Sequence, residues 1–518
     1  MNPLHQRAMG AYYTPNDAST WMAEWLIADN ATTLLEPSSG DGSFVGAALE
    51  IADVRGLTVH VHAVELDQHA LDELVTDSRV TKIHGDFHQV EPFAVDGVLG
   101  NPPFVRFRHL AEGSCEAALA TGEGAGVLVD PSGSTWMTFA VHAATFLRPG
   151  GRLALVLPAD ALYVRYARPF WSFMADRFGS LRVVRCRERI FPDLLQDVVL
   201  LLADRAGSST KVIESELFAS RVDLTRGHRP SQTSIEVAAV TSGEKPFVRA
   251  LLGETHSGPL QTFLNNSVRA DTYAKFNIGY VAGDKTFFHP DQTTQHEFQL
   301  PSRSLVPALR SGRQLRRAGA RTSSLSSCSV GALWLPDEAR LTKGEQRYIE
   351  RGESMGVHTR YKTRIRRQWF VVPGVRVPDL VVPVFGELPK IMLNDTGVVA
   401  SNSLVAGYWR QDVDPAAFLL CWYSSVTRLG IELSVHALGG GVLVVIPGEA
   451  DAIRMPALPT RPAPVGLLER LDQALVDGDM QGAYTVGDAY LASLGWTTND
   501  LEATKEMADM LLSWRVDR

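Results

Sequence analysis

Short apolar runs alternate with amphipathic stretches through the first 240 residues. Thr33–Leu35, Val59–Val64, Gly97–Leu99, Arg152–Leu157, Leu181–Arg185 and Asp197–Ala203 are compact enough to predict strands. Trp21–Ile27, Gly46–Ile51 and Trp136–Leu147 carry the spacing of helices packed on one face. This alternation predicts an α/β domain with a mostly parallel sheet. From 245 to 455 the helical pattern thins and turn residues multiply, which predicts a second, mixed or β-rich domain. A proline-rich connector begins at Pro456 and a helical tail runs to 518. The expected division is therefore 1–240, 245–455 and 456–518.

Composition bounds this picture. A chain of 518 residues allows about three units at roughly 150 residues each. With 45% hydrophobic and 21% charged residues it has the make-up of a globular protein. Cys115, Cys186, Cys328 and Cys421 are widely separated and form no CxxC pair, so neither a disulfide scaffold nor a metal site is expected. No apolar run approaches the ~18 residues of a membrane span, and the first residues lack the form of a secretory signal. A cytoplasmic protein with no membrane partner is the expectation. The net charge of -8 argues mildly against a polyanionic partner.

The strand ends carry the first candidate chemistry. Leu34–Glu36 leads into Pro37-Ser38-Ser39-Gly40-Asp41-Gly42, a small-residue turn before a helix. Open α/β sheets build ligand crevices at such carboxyl ends, and glycine lets the backbone approach a ligand closely. The second strand ends in Glu65, followed by Leu66 and Asp67, and a carboxylate there suits the two hydroxyls of a ribose. The third ends in His84-Gly85-Asp86-Phe87, where Asp86 can accept from an adenine amine and Phe87 can pack on the purine. Acid-bearing strand ends in this order point to a nucleoside cofactor. The tight GxGxxG of NAD enzymes is absent.

The fourth strand ends in Asn101-Pro102-Pro103-Phe104. The lone pair of an aromatic amine is conjugated into its ring and is a poor nucleophile. Two acceptors holding both amine hydrogens favour a tetrahedral nitrogen and free that pair. The Asn101 side-chain oxygen and the Pro102 carbonyl can do this, on a turn stiffened by proline. Phe104 can stack on the target base, a contact worth roughly 1–3 kcal/mol, comparable with the cost of extruding a base from a duplex.

These residues resemble the γ-class adenine-N6 DNA methyltransferases of restriction–modification systems, of the TaqI type. The resemblance runs in class order over residues 10–205. It implies a class I S-adenosylmethionine-dependent methyltransferase, Rossmann-like, with a C-terminal DNA-recognition domain. It places Gly10-Ala-Tyr-Tyr-Thr14-Pro15 before the glycine turn, with Thr14 at the carboxylate end of S-adenosylmethionine. Glu36, Ser38, Gly40, Glu65, Leu66, Asp86, Phe87 and Asn101 match cofactor-contacting positions. Phe191, in Arg187-Glu-Arg-Ile-Phe191-Pro192, becomes the wall facing Phe104 across a flipped-out adenine. Phe104 departs from the tyrosine of many relatives but keeps the stacking face.

The DNA-reading half resembles recognition domains more loosely, through Ile278-Gly-Tyr-Val-Ala-Gly283-Asp-Lys-Thr-Phe-Phe288, Tyr348–Gly352 and Tyr361–Trp369. Six arginines and no acid lie between Arg303 and Arg321, and Arg360, Lys362, Arg364, Arg366 and Arg367 form a second cluster. Arg313, Arg316, Arg317, Arg364, Arg366 and Arg367 are the candidate contacts to duplex DNA. The tail is different, with ten acids against four bases in the last fifty residues, and is expected to pack on the body of the protein. The glycine-rich stretch Val105–Ser134 reads as a long loop.

Two other readings use the same motifs. RNA and protein-glutamine methyltransferases also carry NPP(F/Y) on this fold, but the arginine-rich half favours DNA. A fused nuclease would need PD…(D/E)xK, and Pro378-Asp379 with Glu387-Leu-Pro-Lys390 is one residue too long. A separate endonuclease or defence subunit remains an expected partner.

Overall fold

The computed structural model describes residues 14–27, 31–191, 197–242, 244–316, 318–326, 329–437 and 441–516. The expected motif residues Gly10–Tyr13, together with Pro192 and Arg317, lie outside them. The chain divides into two compact units between Glu254 and Thr255.

The first unit is built on a nine-stranded sheet. Its strands are β1 (Thr33–Glu36), β2 (His60–Glu65), β3 (Val80–His84), β4 (Val95–Gly100), β5 (Leu147–Pro158), β6 (Phe178–Cys186), β7 (Val198–Ala206), β8 (Val212–Phe218) and β9 (Ser231–Glu236). They lie in the order 3-2-1-4-5-7-6-8-9. From β3 to β5 all neighbours are parallel, whereas β7 runs antiparallel to both β5 and β6. The inner strands read as continuous apolar runs because helices cover both faces: Leu153–Leu157 and Val198–Ala203 are buried throughout.

The helices Asn16–Leu26 and Ser43–Arg55 bury Met22, Leu26, Val45 and Ile51 in the same cluster as Leu34, Val61 and Leu99. Another cluster joins Trp136, Phe139 and Phe170 to Leu35, Val98 and Leu155. One expectation fails here. Val105–Ser134 is not a plain loop, since Glu112–Gly124 forms an α-helix. Its three alanines and three glycines obscure a helical face on which Ala118 and Gly122 are buried, and a side chain at Gly122 would collide with Val129.

The second unit holds four small sheets and a helical end. Its largest sheet orders Ala274–Ile278, Leu404–Trp409, Leu380–Pro383 and Met392–Leu393, all antiparallel. An aromatic core gathers Phe287, Phe288, Trp334, Tyr348 and Phe370. Phe287 and Tyr348 stack with centroids 4.6 Å apart, and the Tyr348 hydroxyl donates to the Phe287 carbonyl at 2.6 Å. The helices Val465–Val476, Met480–Ser493 and Thr498–Val516 are tied into this unit by their acids. Asp472 accepts from the Ala320 amide, Asp488 from Ser425, and Asp509 pairs with Arg428. Three acids of the tail thus bind its own unit, while Glu469, Asp477, Glu502 and Glu506 are exposed. Among the described residues no helix is long and apolar enough to cross a membrane.

Candidate active site

Strand order reverses between β1 and β4, the point at which open α/β sheets bind ligands beyond the carboxyl ends of their strands. The turn after β1 forms one wall. Gly40 and Gly42 take positive φ of 51° and 77°, and a Cβ on Gly42 would press into Leu74, so this turn needs glycine there. Glu65, at the end of β2, fastens the turn: its Oε2 accepts from the Gly40 amide at 2.8 Å and its Oε1 from the Asp67 amide at 2.9 Å. Each oxygen retains a further lone pair for a ribose hydroxyl. Leu66 beside it is exposed.

Glu36 is only 2% exposed, and among the described residues its Oε2 has no hydrogen-bond partner. The Ser39 hydroxyl beside it in the turn is likewise buried and unpartnered. Burial pushes the Glu36 carboxyl well above its ordinary range, and the neighbouring charges of Asp41 and Glu65 add to the shift. An acid kept this way is a ready acceptor for a cationic ammonium, which would offset the desolvation. The residues present therefore fit S-adenosylmethionine.

At the end of β3, Asp86 accepts from the His88 amide at 3.0 Å and from its ring Nδ1 at 3.2 Å. The His88 hydrogen bond holds the Asp86 carboxyl below the usual carboxylate range. The other ring nitrogen of His88 meets the Thr138 hydroxyl at 2.9 Å. The Phe87 ring is 2% exposed and lies among Phe139, His142 and Phe146.

The motif after β4 completes the site. Pro102 is buried, while Asn101, Pro103 and Phe104 are half-buried. The Ser38 hydroxyl donates to the Asn101 carbonyl at 3.2 Å, and the Asn101 side-chain amide reaches the Thr14 hydroxyl at 3.5 Å. Thr14, Ser38 and Asn101 are thereby brought together from three separate segments. Phe104 packs against both large core clusters. Phe191 is 3% exposed and packs in one of those clusters.

Sequence reasoning missed Thr135. This buried first residue of the helix Thr135–Thr145 donates its hydroxyl to the Pro103 carbonyl and accepts from the Val105 amide at 3.2 Å. Its own amide donates to the Val105 carbonyl at 2.9 Å, as does the Ser134 hydroxyl at 3.0 Å. Phe104 is clamped on both sides. A Ser-Thr pair opening a helix was the available signal.

In the second unit the arginines separate into kinds. Arg313 and Arg316 are exposed on and beside a turn of 3-10 helix, Gly312–Leu315, whose capping box joins Ser311 and Gln314. Arg364 is exposed, and Arg367 is exposed and pairs with Glu338 at 3.0 Å. Arg366 is held against its own unit. Its guanidinium donates to the Val281 and Ala282 carbonyls, both at 2.8 Å, and lies 5.3 Å from the Phe288 ring. Burial lowers its pKa. It pins the turn at Gly283, whose φ of +88° and contact with Thr363 leave little room for a side chain.

The sheet order and the strand-end acids define a class I S-adenosylmethionine-dependent methyltransferase. Residues 3–168 match the family model for N-6 DNA methylases, and residues 244–492 match that of the C-terminal domain of the type II methyltransferase M.Eco57I. The two matched segments are thus similar to the catalytic and C-terminal domains of N6-adenine DNA methyltransferases of restriction–modification systems. It is similar to the type II methyltransferase M.XamI of Xanthomonas campestris pv. amaranthicola, 24% identical and covering 88% of this chain and 87% of that protein. It is also similar to M.AccI of Acinetobacter calcoaceticus, 21% identical over 74% of this chain and 72% of that one. Among solved structures, a cryo-EM complex of DrdV with DNA has a TM-score of 0.50 at 10% identity, covering 92% of this chain and 58% of that one, a likeness of fold.

Proposed function

We propose that this DNA methyltransferase moves the methyl of S-adenosylmethionine to N6 of a flipped-out adenine through Asn101 and Pro102, with Phe104 stacked on the base. The observation that carries this reading is the Ser38–Asn101 hydrogen bond, which joins the cofactor turn to the amine-accepting motif. Glu36 and Thr14 hold the amino-acid end of the cofactor, Glu65 its ribose and Asp86 its adenine. The cofactor supplies an electrophilic sulfonium methyl, so the proposal assigns no role to a metal.

The Asn101 side-chain oxygen and the Pro102 carbonyl accept the two amine hydrogens and leave the nitrogen lone pair free to attack. Thr135 fixes the backbone on either side of Phe104 so that the stacking face is preorganised. Residues 1–240 are assigned to catalysis, 245–455 to target recognition through exposed arginines such as Arg313, Arg316 and Arg364, and 456–518 to supporting the recognition unit. A separate restriction endonuclease is the proposed partner system. Methyl transfer from labelled cofactor to duplex DNA, to RNA and to a glutamine-bearing protein tests the substrate. Transfer to duplex DNA alone is expected, and transfer only to the other two would overturn the reading.

A further inference from the structure

Tyr361 and Ile365 stand one helical turn apart on the short helix Tyr361–Arg364 and its cap, and each is 62% exposed. Singly exposed apolar residues are ordinary. This pair is unusual in what holds it and what surrounds it.

The support beneath is rigid. Thr363, between them, is completely buried and donates to the Val357 and Arg360 carbonyls. Arg360 pairs with the buried Asp284, and Arg366 is bound to the Val281 and Ala282 carbonyls. The surroundings are cationic. The Lys362 ammonium lies 5.3 Å and the Arg364 guanidinium 5.7 Å from the centre of the Tyr361 ring. Among the described residues neither cation has an acidic partner. Ile365 borders a pocket of about 490 Å³ that Lys362, Arg366 and the ion pair Arg367–Glu338 also line.

An apolar pair on a fixed base, flanked by two cations with no acidic partner among the described residues, matches a polyanion that also offers flat apolar surfaces. Duplex DNA is such a partner: its phosphates meet the cations, and its base edges and steps accept an aromatic or aliphatic side chain. A protein surface would need matching acids to satisfy Lys362 and Arg364. We propose that Tyr361 and Ile365 form an apolar lip that enters a groove of the bound DNA, while Lys362 and Arg364 take the flanking phosphates. This rests on the DNA substrate proposed above and adds to it a contact that is not electrostatic.

That difference supplies the test. The full chain is titrated with a duplex carrying its target sequence, read first from modified bases in DNA of a host expressing the protein, across a series of salt concentrations. Tyr361→Ala is expected to weaken binding about tenfold, with the dependence of log K on log salt unchanged, because the ring releases no counterions. Tyr361→Phe retains wild-type affinity, and Lys362→Ala flattens the salt dependence. Ile365→Ala should act like Tyr361→Ala but more weakly, and thermal melting of each variant reports whether the unit is folded. Wild-type affinity in folded Tyr361→Ala and Ile365→Ala overturns the lip and leaves this face to another partner. Failure of the unaltered protein to bind any duplex overturns the DNA reading itself, and the lip with it.

Discussion

The Ser38 hydroxyl donates to the Asn101 carbonyl at 3.2 Å, so the turn that would hold the methyl donor is fastened to the motif that would hold the acceptor. Removing this bond by Ser38→Ala should lower turnover without dismantling either half. A neutral hydrogen bond contributes about 0.5–1.5 kcal/mol, so a loss of up to about tenfold in kcat is expected, with duplex KM little changed. Steady-state kinetics under saturating cofactor checks this.

Glu36 makes a prediction of opposite sign for stability and for binding. A buried carboxyl whose pKa is raised in the fold binds more protons folded than unfolded, so its contribution falls as pH rises above the ordinary 4.5. Glu36→Gln removes that dependence and should raise the melting temperature of the cofactor-free protein above pH 5. The same change removes a charged acceptor for the cofactor ammonium, worth about 1.5–3 kcal/mol, and should weaken S-adenosylmethionine binding about ten- to a hundredfold. Calorimetric titration and melting curves on the same preparations separate the two effects.

The Thr135 hydroxyl meets backbone groups on both sides of Phe104. Thr135→Val should lower kcat about tenfold by loosening the stacking residue, and Thr135→Ser should restore most of it. A valine variant as active as wild type would show that Phe104 is held by packing alone.

Two buried histidines set the acid limit of the fold. His142 meets the Val90 carbonyl at 3.0 Å and His289 meets the Tyr280 hydroxyl at 2.8 Å, and burial lowers the pKa of each below 6.5. In that range the unfolded chain binds more protons than the folded one. Their stabilisation is complete above pH 6.5 and is lost as pH falls through the lowered values. Denaturant melts at successive pH values should show stability declining below 6.5, and His289→Gln should reduce the slope.

Arg364 and Arg366 are two positions apart and should behave differently. Arg364→Ala should leave melting unchanged, weaken duplex binding and reduce the salt slope by about 0.9 if it neutralises one phosphate. Arg366→Ala strips the Val281 and Ala282 carbonyls of their donor and should destabilise the second unit by roughly 1–3 kcal/mol. Thermal melts and salt-dependent binding distinguish them.

The contrast shows what the chain discloses before it folds. The strands were legible because β1, β4 and β5 each hold a short apolar run, Leu34–Leu35, Val98–Leu99 and Leu153–Leu157, and the strand-end acids were legible because their order follows the sheet. Glu36, Glu65 and Asp86 differ in state for reasons that only packing reveals: one is buried with one oxygen unpartnered among the described residues, one is tied to two amides and one is bound to His88. Phe87 and Phe191 read as pocket residues from sequence because an aromatic ring suits a base and a core equally well. Arg366 and Arg364 look alike in a basic cluster until Gly283 brings a turn against one of them. Thr135 was hidden because its partners, Pro103 and Val105, lie some thirty residues earlier.

The central claim is that Asn101 activates the N6 amine of adenine. The direct measurement incubates wild type and Asn101→Ala with S-adenosylmethionine and unmethylated duplex DNA, digests the DNA to nucleosides and quantifies methylated products by mass spectrometry. The account predicts N6-methyldeoxyadenosine from wild type, and a loss on the order of 100- to 1,000-fold in Asn101→Ala with cofactor binding retained. A methylated cytosine in its place, or undiminished N6-methyldeoxyadenosine from Asn101→Ala, would contradict it.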